Sequence, residues 1–333
     1  MTKNPKGLNI YFLTLILFSV LVVGLPYIGL FEYGAEFIIQ SRVQMAIVMV
    51  LIAFLLLIKR FYFMSVVQIL LMLFHITPVL NIYTAHNHDL QKTQCIYDET
   101  QHPIRVLTFN IYHKNQDYNA ILDVLNMHDA HIVLLLEVQP DLYAVSHESL
   151  KSNYPYSYPE MEEGKRTSWL VYSKYPFQDV LGKKIPGSSQ RALHAAIDIN
   201  GKILNLLGLH TQSPKTVARM EARDAYIENL ARYVSGLSYA DEYIVVAGDF
   251  NTTPWHPVMG SFQDKTGTKT HILDNGLGTW PSWLPDFLTI PIDHVFHSSN
   301  LKKEKYSKGL SSGSDHYPVY LDFYFCDKKI SQN

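Results

Sequence analysis

A surplus of basic residues is what this chain most plainly lacks: its 333 residues carry 28 Lys and Arg against 30 Asp and Glu. Five basic residues (Lys3, Lys6, Arg42, Lys59, Arg60) and two acidic ones (Glu32, Glu36) precede residue 84, which leaves 23 basic against 28 acidic beyond it, a net of −5. A protein that grips a nucleic-acid backbone usually shows a basic face, and the later part has no overall excess to supply one, although local patches stay open. Cysteine is nearly absent, at two residues, Cys95 and Cys326. Histidine is plentiful, but His86, His88, His256 and His294 stand without a second ligand at a zinc spacing and are set aside as ligands. Internal repeats and low-complexity tracts are missing. The length leaves room for one large domain or two small ones.

Charge itself is absent from three early stretches, Gly7 to Phe31, Val43 to Ile58 and Phe61 to His88. The first and third are long enough to span a bilayer as helices. The middle one, at about 24 Å, falls slightly short unless Arg42 and Lys59 snorkel at its ends. The first run exceeds the apolar region of a signal peptide, and Gly24-Leu25-Pro26 does not read as a small-x-small cleavage site. Three spans are therefore expected in an anchor over 1–83, followed by a polar linker over 84–103, a folded domain over 104–327 and a polar tail over 328–333. Lys3 and Lys6 precede the first span and Lys59 and Arg60 separate the second from the third, so the positive-inside rule places the folded domain outside the cytoplasm.

In that domain, short apolar strands each deliver a polar residue at their C-terminal side. IVVAGDFNTTP (Ile244 to Pro254) runs into Asp249 and Asn251, which at i and i+2 of an extended chain point the same way. Alone, a D-x-N at a strand end is most often an Asx turn. VLTFNIY ends in Asn110, IVLLLEV in Glu137 and LLGLHTQSP in His210; PIDHVF carries Asp293, and GSDHYPV carries Asp315 and His316. Periodicity predicts strands over Arg105 to Asn110 and Ile132 to Val138, a core strand leaving into a Tyr-Pro turn within Trp169 to Phe177, and a hairpin of Ala192–Ile199 and Ile203–His210 about Asn200-Gly201. Helices are predicted over Tyr118 to His128 and Thr216 to Val234.

GDFN, an ID dipeptide and SDH, in that order from about Ile104 to Phe325, resemble the endonuclease/exonuclease/phosphatase superfamily, the DNase-I-like fold of nucleases, inositol-phosphate phosphatases and neutral sphingomyelinases. The resemblance implies an α/β fold, a four-layered α/β sandwich of two mixed sheets face to face with helices outside, here preceded by a transmembrane helical segment. It also implies a metal-dependent phosphoester hydrolase using Mg²⁺, with Mn²⁺ as the substitute. Glu137 would be the principal metal ligand, with Asn110 and Asp315 in the same environment. Asp249 and Asn251 would position and polarise the attacking water, His316 would contact the scissile phosphate with its ring fixed by Asp293, and His210 would stabilise charge on the phosphorane. Asn110 and Arg223 would face a phosphoryl oxygen, with buttressing of the site and a plain position on the helix surface as the other readings of Arg223. In this fold the first and last strands are antiparallel neighbours, which brings Cys95 beside Cys326 for a disulfide; two unrelated thiols are the other reading.

The chain departs from the nucleases in one region. Pro291 stands where they often carry arginine, and the segment before it is apolar and aromatic (Trp283, Leu284, Pro285, Phe287, Leu288), either an exposed rim or a buried lid. The arrangement resembles bacterial membrane-bound members of the family, which points to the plasma membrane and to a phospholipid or polyprenyl phosphate as substrate. An extracytoplasmic nuclease is the first rival, favoured by Mg²⁺-dependent cleavage of an oligonucleotide. A catalytically idle interaction module is the second, favoured if Asp249→Ala has no effect in a substrate screen. No obligate protein partner is inferred.

Overall fold

The computed structural model describes residues 5–28, 32–92, 95, 97, 102–160, 168–188, 190–238 and 242–326. The expected tail over 328–333 and the side chains of His86 and His88 lie outside what is described. The chain divides into two compact units, Met1–Asn87 and His88–Asn333.

The first unit is helical: α1 (Pro5–Ile28), α2 (Glu32–Gln40), α3 (Arg42–Ile58) and α4 (Tyr62–Lys92). Two helices are long and apolar enough to cross a membrane, over Ile10–Ile28 and Tyr62–Ile82. The middle run differs from the single span expected. The presumed loop around Glu32 and Glu36 is helix α2, bent by 81° from α3 at Ser41, and only the bent pair taken together would make a third span. The linker also starts later than expected, because Thr84 to Lys92 contains neither Gly nor Pro and continues α4. Polar side chains tie the helices from within: Arg42 Nη1 donates to the His75 carbonyl at 2.7 Å, Gln68 Nε2 to Ser19 Oγ at 2.8 Å and Ser65 Oγ to the Ala53 carbonyl at 3.0 Å.

The second unit consists of β1 (Ile104–Asn110), α5 (Tyr118–His128), β2 (Ile132–Val138), α6 (Pro140–Leu150), β3 (Tyr156–Glu160), β4 (Ser168–Ser173), β5 (Phe177–Lys184), β6 (Arg191–Ile199), β7 (Lys202–His210), α7 (Val217–Ser238), β8 (Tyr243–Asp249), α8 (Pro257–Thr266), β9 (Asp293–His297), β10 (Leu301–Lys308) and β11 (Val319–Phe325). Six strands form one sheet in the order β10-β11-β1-β2-β4-β3, and five form another in the order β5-β6-β7-β8-β9. Both are mixed: β1 and β2 run parallel in the first, β7 and β8 in the second, and the remaining pairs are antiparallel.

Alternation along the strands builds the layers. Val106, Leu134, Leu136 and Leu321 of one sheet meet Ala195, Leu206, Val245 and Val295 of the other in a dry core. The opposite face of the six-stranded sheet is covered by α5 and α6 through Ile121, Leu125 and Leu142, and that of the five-stranded sheet by α7 and α8 through Tyr226, Leu230 and Phe262. The four-layered sandwich of the sequence reading is thus observed. Helix α5 shows how local chemistry sets an element: Asp117 caps it by accepting from Ala120 N at 3.0 Å, Ile121, Val124 and Leu125 form its buried stripe, and Asp129 ends it in a left-handed turn. The core strand of Trp169 to Phe177 is observed as β4 and leaves, as expected, at the Tyr-Pro turn of Tyr175 and Pro176, after which β5 begins at Phe177, because Pro176 cannot donate to a ladder. Cys95 and Cys326 are joined in a disulfide, with Cα atoms 5.1 Å apart.

One glycine is indispensable. Gly248 has φ +141°, and a Cβ there would lie 1.9 Å from the Leu209 carbonyl oxygen in the neighbouring parallel strand. Gly248→Ala is expected to destabilise the protein by about 3 kcal/mol or more, the cost of strain at a backbone conformation closed to L-residues. Denaturant unfolding of the full chain followed by tryptophan fluorescence reads the change.

Candidate active site

The two parallel pairs, one in each sheet, turn their carboxyl ends to the same side of the sandwich. Asn110 ends β1, Glu137 stands one residue from the end of β2, His210 ends β7 and Asp249 ends β8. Asp293 opens the antiparallel β9 opposite Asp249, and Asp315 and His316 lie in the turn leading into β11. Six segments distant in sequence therefore meet at one rim.

The contacts form a chain. Asn110 Nδ2 donates to Glu137 Oε1 and to Asp249 Oδ2, both at 3.1 Å, while its Oδ1 accepts from Tyr112 N. His210 Nε2 lies 3.6 Å from each of the same two carboxylates. Asp249 Oδ1 accepts from Asn251 N at 2.8 Å, and His316 Nε2 approaches Asp249 Oδ2 at 3.8 Å. His316 Nδ1 donates to Asp293 Oδ2 at 2.8 Å. Ser314 fastens the turn by donating from Oγ to the Asn110 carbonyl at 2.7 Å and accepting from His316 N. Glu137, Asp249, Asn251 and His316 thus stand at one place. Arg223 takes the buttressing one of its three expected positions and not the helix surface: it is fully buried, pairs with Asp224 and donates from Nη1 to the Asn251 carbonyl at 3.1 Å. Asp315 is half-buried and turns toward Trp280, whose Nε1 lies 3.3 Å from its Oδ2.

Backbone strain gathers here. Tyr112, Glu137 and Asn251 have φ of 62°, 60° and 50°, left-handed values rare outside glycine. Such conformations persist where surrounding bonds over-determine them, and they cluster at sites of function.

The electrostatics separate the carboxylates. Burial pushes Glu137 up, but His210, two hydrogen bonds from His113 and one from Asn110 together outweigh it and hold its pKa at about 2. Burial and the neighbouring Asp293 push Asp249 up to about 6, against the pull of His316 and His210. His316 is disfavoured as a cation by burial, yet Asp293, Asp249 and Asp315 raise it to about 10, so it is an imidazolium at neutral pH. One site therefore holds a firmly ionised carboxylate, a carboxyl close to its titration point and a charged imidazole, the separation that acid–base chemistry requires.

Two sets of donors invite a cation. Single donor atoms of Asp249, Asp293 and His316 lie within 4.8 Å of one another. In that set His316 Nδ1 is engaged with Asp293 as a proton donor, so a cation there would compete with the proton that fixes the ring. Glu137 offers an ionised oxygen with a side chain 16% exposed, which suits a hard divalent ion better.

His113 escaped the sequence reading. Its backbone N and its Nδ1 approach the same Glu137 oxygen at 2.9 and 2.6 Å, and Gln139 Nε2 holds its carbonyl. Its place three residues beyond a strand-end asparagine is a weak signal, recognisable only once Glu137 is beside it. Thr279 also escaped: its hydroxyl oxygen accepts from the backbone N of Ile292 and Asp293 and so sets the start of β9. Of the histidines set aside, His294 is buried, pushed down to about 4 by that burial, and bonded through Nε2 to the Thr252 carbonyl, while His256 Nδ1 caps α8 by accepting from Val258 N.

With this geometry in place, the sequence model of the Endonuclease/Exonuclease/phosphatase family matches residues 107–316, and the chain belongs to that family. It is a hydrolase of phosphoester bonds. Among solved structures it is similar to an endonuclease/exonuclease/phosphatase protein from Beutenbergia cavernae at 20% identity and TM-score 0.57, covering 69% of this chain and 74% of that one. A truncated Caenorhabditis elegans TDP2 aligns at 17% identity and TM-score 0.55, over 66% of this chain and 97% of that one. A D. rerio TDP2 complexed with single strand DNA product aligns at 16% identity and TM-score 0.54, over 66% and 98%. No curated protein matches.

Proposed function

We propose that this protein is a membrane-anchored, divalent-metal-dependent hydrolase of phosphoesters presented at a membrane surface, a phospholipid or a polyprenyl phosphate. The observation that carries the chemistry is the convergence of Glu137, Asn110 and Asp249 from three strand ends with His316 from the turn before β11, burial raising Asp249 to about 6 and the surrounding carboxylates holding His316 charged. Glu137 would hold Mg²⁺ or Mn²⁺, with Asp249 the nearest further carboxylate along the Asn110 bridge. A cation bound there neutralises charge on the phosphoryl oxygens. Asp249, its Oδ1 fixed by Asn251 N, orients a water and accepts its proton. His316, its ring set by Asp293, directs Nε2 at the phosphoryl or leaving oxygen, and His210 adds a second imidazole to the same face.

The membrane part of the reading rests on the apolar helices Ile10–Ile28 and Tyr62–Ile82 and on the basic residues flanking the spans, which favour several crossings with the catalytic unit outside the cytoplasm. A nuclease acting in the same compartment is the second reading, because one similar structure is a complex with single strand DNA product. The net of −5 beyond residue 84 supports the lipid reading over it.

Stripping the detergent-solubilised full chain with EDTA is expected to lower hydrolysis of a panel of phosphoesters by about a thousandfold or more, with recovery on adding Mg²⁺ or Mn²⁺. The same additions should raise the melting temperature, since an ion that binds only the folded state stabilises it. Unchanged turnover in EDTA would remove the metal from the proposal, and oligonucleotide cleavage exceeding that of every lipid phosphoester would favour the nuclease.

A further inference from the structure

Ten large hydrophobic residues are exposed among the described residues beyond residue 88, and six of them belong to one place: Leu277, Trp280, Trp283, Phe287, Leu288 and Leu310. Trp283 is 73% exposed and Leu310 61%. Exposed apolar residues scattered singly need no explanation, but a contiguous group marks an interaction surface. This one adjoins the site, because Trp280 Nε1 reaches Asp315, Ser282 N donates to the Asp315 carbonyl at 2.8 Å, and Thr279 sets the start of β9 at Asp293.

The exposure of Trp283, Phe287 and Leu288 rules out the buried lid, and hydrogen bonds brace the segment in place. Trp280 and Ile290 exchange backbone hydrogen bonds at 3.1 and 2.7 Å. Leu277 N donates to Asp286 Oδ2 at 3.0 Å, Lys308 Nζ donates to the Gly278 carbonyl at 2.9 Å and pairs with Asp286, and Tyr317 OH donates to the Ser282 carbonyl. A braced loop that presents indole and leucine side chains to solvent is suited to the boundary between headgroups and acyl chains, where the amphipathic ring of tryptophan partitions best.

We propose that the Leu277–Leu288 segment with Leu310 is a docking face that dips into the bilayer interface and brings the active site onto phosphoesters whose hydrocarbon chain is embedded there. The inference rests on the phosphohydrolase reading above and adds the surface that selects the substrate. The bilayer is the occupant because the same chain carries two helices fit to cross one, and α4 ends at Lys92, three residues before Cys95, which is bonded to Cys326.

All four tryptophans, Trp169, Trp255, Trp280 and Trp283, lie in the catalytic unit, which makes them a selective reporter. The full chain is reconstituted in vesicles of phosphatidylcholine and phosphatidylglycerol, with and without phosphatidylcholine brominated near the top of its acyl chains. Tryptophan emission is expected to be quenched by the bromines in the wild type and far less in a Trp283→Ser, Leu288→Ser variant. That variant should hydrolyse a vesicle-embedded phosphoester about tenfold more slowly, the partitioning lost with two apolar side chains, and a soluble nitrophenyl phosphodiester at the unchanged rate. Unquenched wild-type emission, or equal rates of both proteins on the embedded ester, overturns the docking face, as does a two-copy particle in detergent that the variant reduces to one copy. Absence of turnover on every ester, soluble or embedded, is a failure of the hydrolase reading instead, and the quenching still decides the docking.

Discussion

Asp249→Asn is expected to lower kcat/KM by about a thousandfold or more, within the range spanned by loss of a general base and of a positioned charge. In EDTA above pH 6, the same substitution should leave the protein as stable as the parent or more so. Both halves have one cause. Burial and Asp293 raise the carboxyl of Asp249 to about 6, so ionising it is harder in the folded protein than in the unfolded chain, where an aspartate titrates at its ordinary 3.8. A raised carboxyl pKa contributes stability below the unfolded value, and that contribution is lost as pH climbs from 3.8 through 6, leaving the native state with an uncomfortable buried charge. Asparagine removes that charge and can still accept from Asn251 N through its oxygen. Its amide would oppose the Asn110 amide at Asp249 Oδ2, which subtracts from the gain. The net shift is on the order of 1 kcal/mol in favour of the variant. Thermal melts of both proteins across pH 4 to 9, beside kcat/KM at pH 7.5, check it. A variant that keeps its rate would show that Asp249 neither holds the water nor takes its proton. One that melts well below the parent at pH 8 would show that the carboxylate is a structural partner and not a strained functional group.

What could be read from the chain alone follows from how local each signal is. The strands over Ile132 to Val138 and Ile244 to Asp249 were legible because runs buried on both faces carry branched apolar residues without a break, and the hairpin at Asn200-Gly201 because its turn needs positive φ, which both residues adopt there. Helix α6 and strands β3, β5 and β10 were not. Phe177–Lys184 and Leu301–Lys308 lie at sheet edges, where half the positions face solvent and a lysine-rich sequence carries no alternation strong enough to register. In the site, Asn110, Glu137 and Asp249 were visible as polar endings of apolar strands, and His316 as part of an SDH motif between a Gly/Ser turn and the last strand. His113 was not, since its meaning comes from a bond to Glu137 across the parallel pair of β1 and β2. The exposure of Trp283 was undecidable from composition, because an aromatic loop reads alike whether it covers a core or meets solvent. The hydrogen bonds of Lys308, Asp286 and Ser282, which place the loop with Trp283 in solvent, join residues 22 to 33 positions apart.

The pairing of His316 with Asp293 should be visible as a displaced alkaline limit of activity. Burial disfavours the imidazolium, and only the surrounding carboxylates, Asp293 first among them, hold it charged up to about 10. The contribution is present in full below pH 6.5 and is lost as pH rises through the folded value. Asp293→Asn keeps the shape and leaves an amide oxygen to accept from Nδ1, but it withdraws the nearest negative charge, so the balance tips toward burial and the histidine should titrate near or below its ordinary 6.5. In the parent, kcat/KM is expected to hold from neutrality to about pH 9; in the variant it should already decline on passing pH 7, by about tenfold for each further unit where a single protonated group is required. His316→Gln should cost about a hundredfold to ten-thousandfold at pH 7 and abolish that decline, because no titrating imidazole remains. The double variant should be little slower than His316→Gln, since Asp293 acts through the ring, and two residues working as one unit are not additive. Proton NMR of the ring, or the pH profile of kcat/KM alone, decides the matter. A variant whose alkaline limit stays where the parent has it would mean that Asp293 fixes the position of the ring without governing its charge.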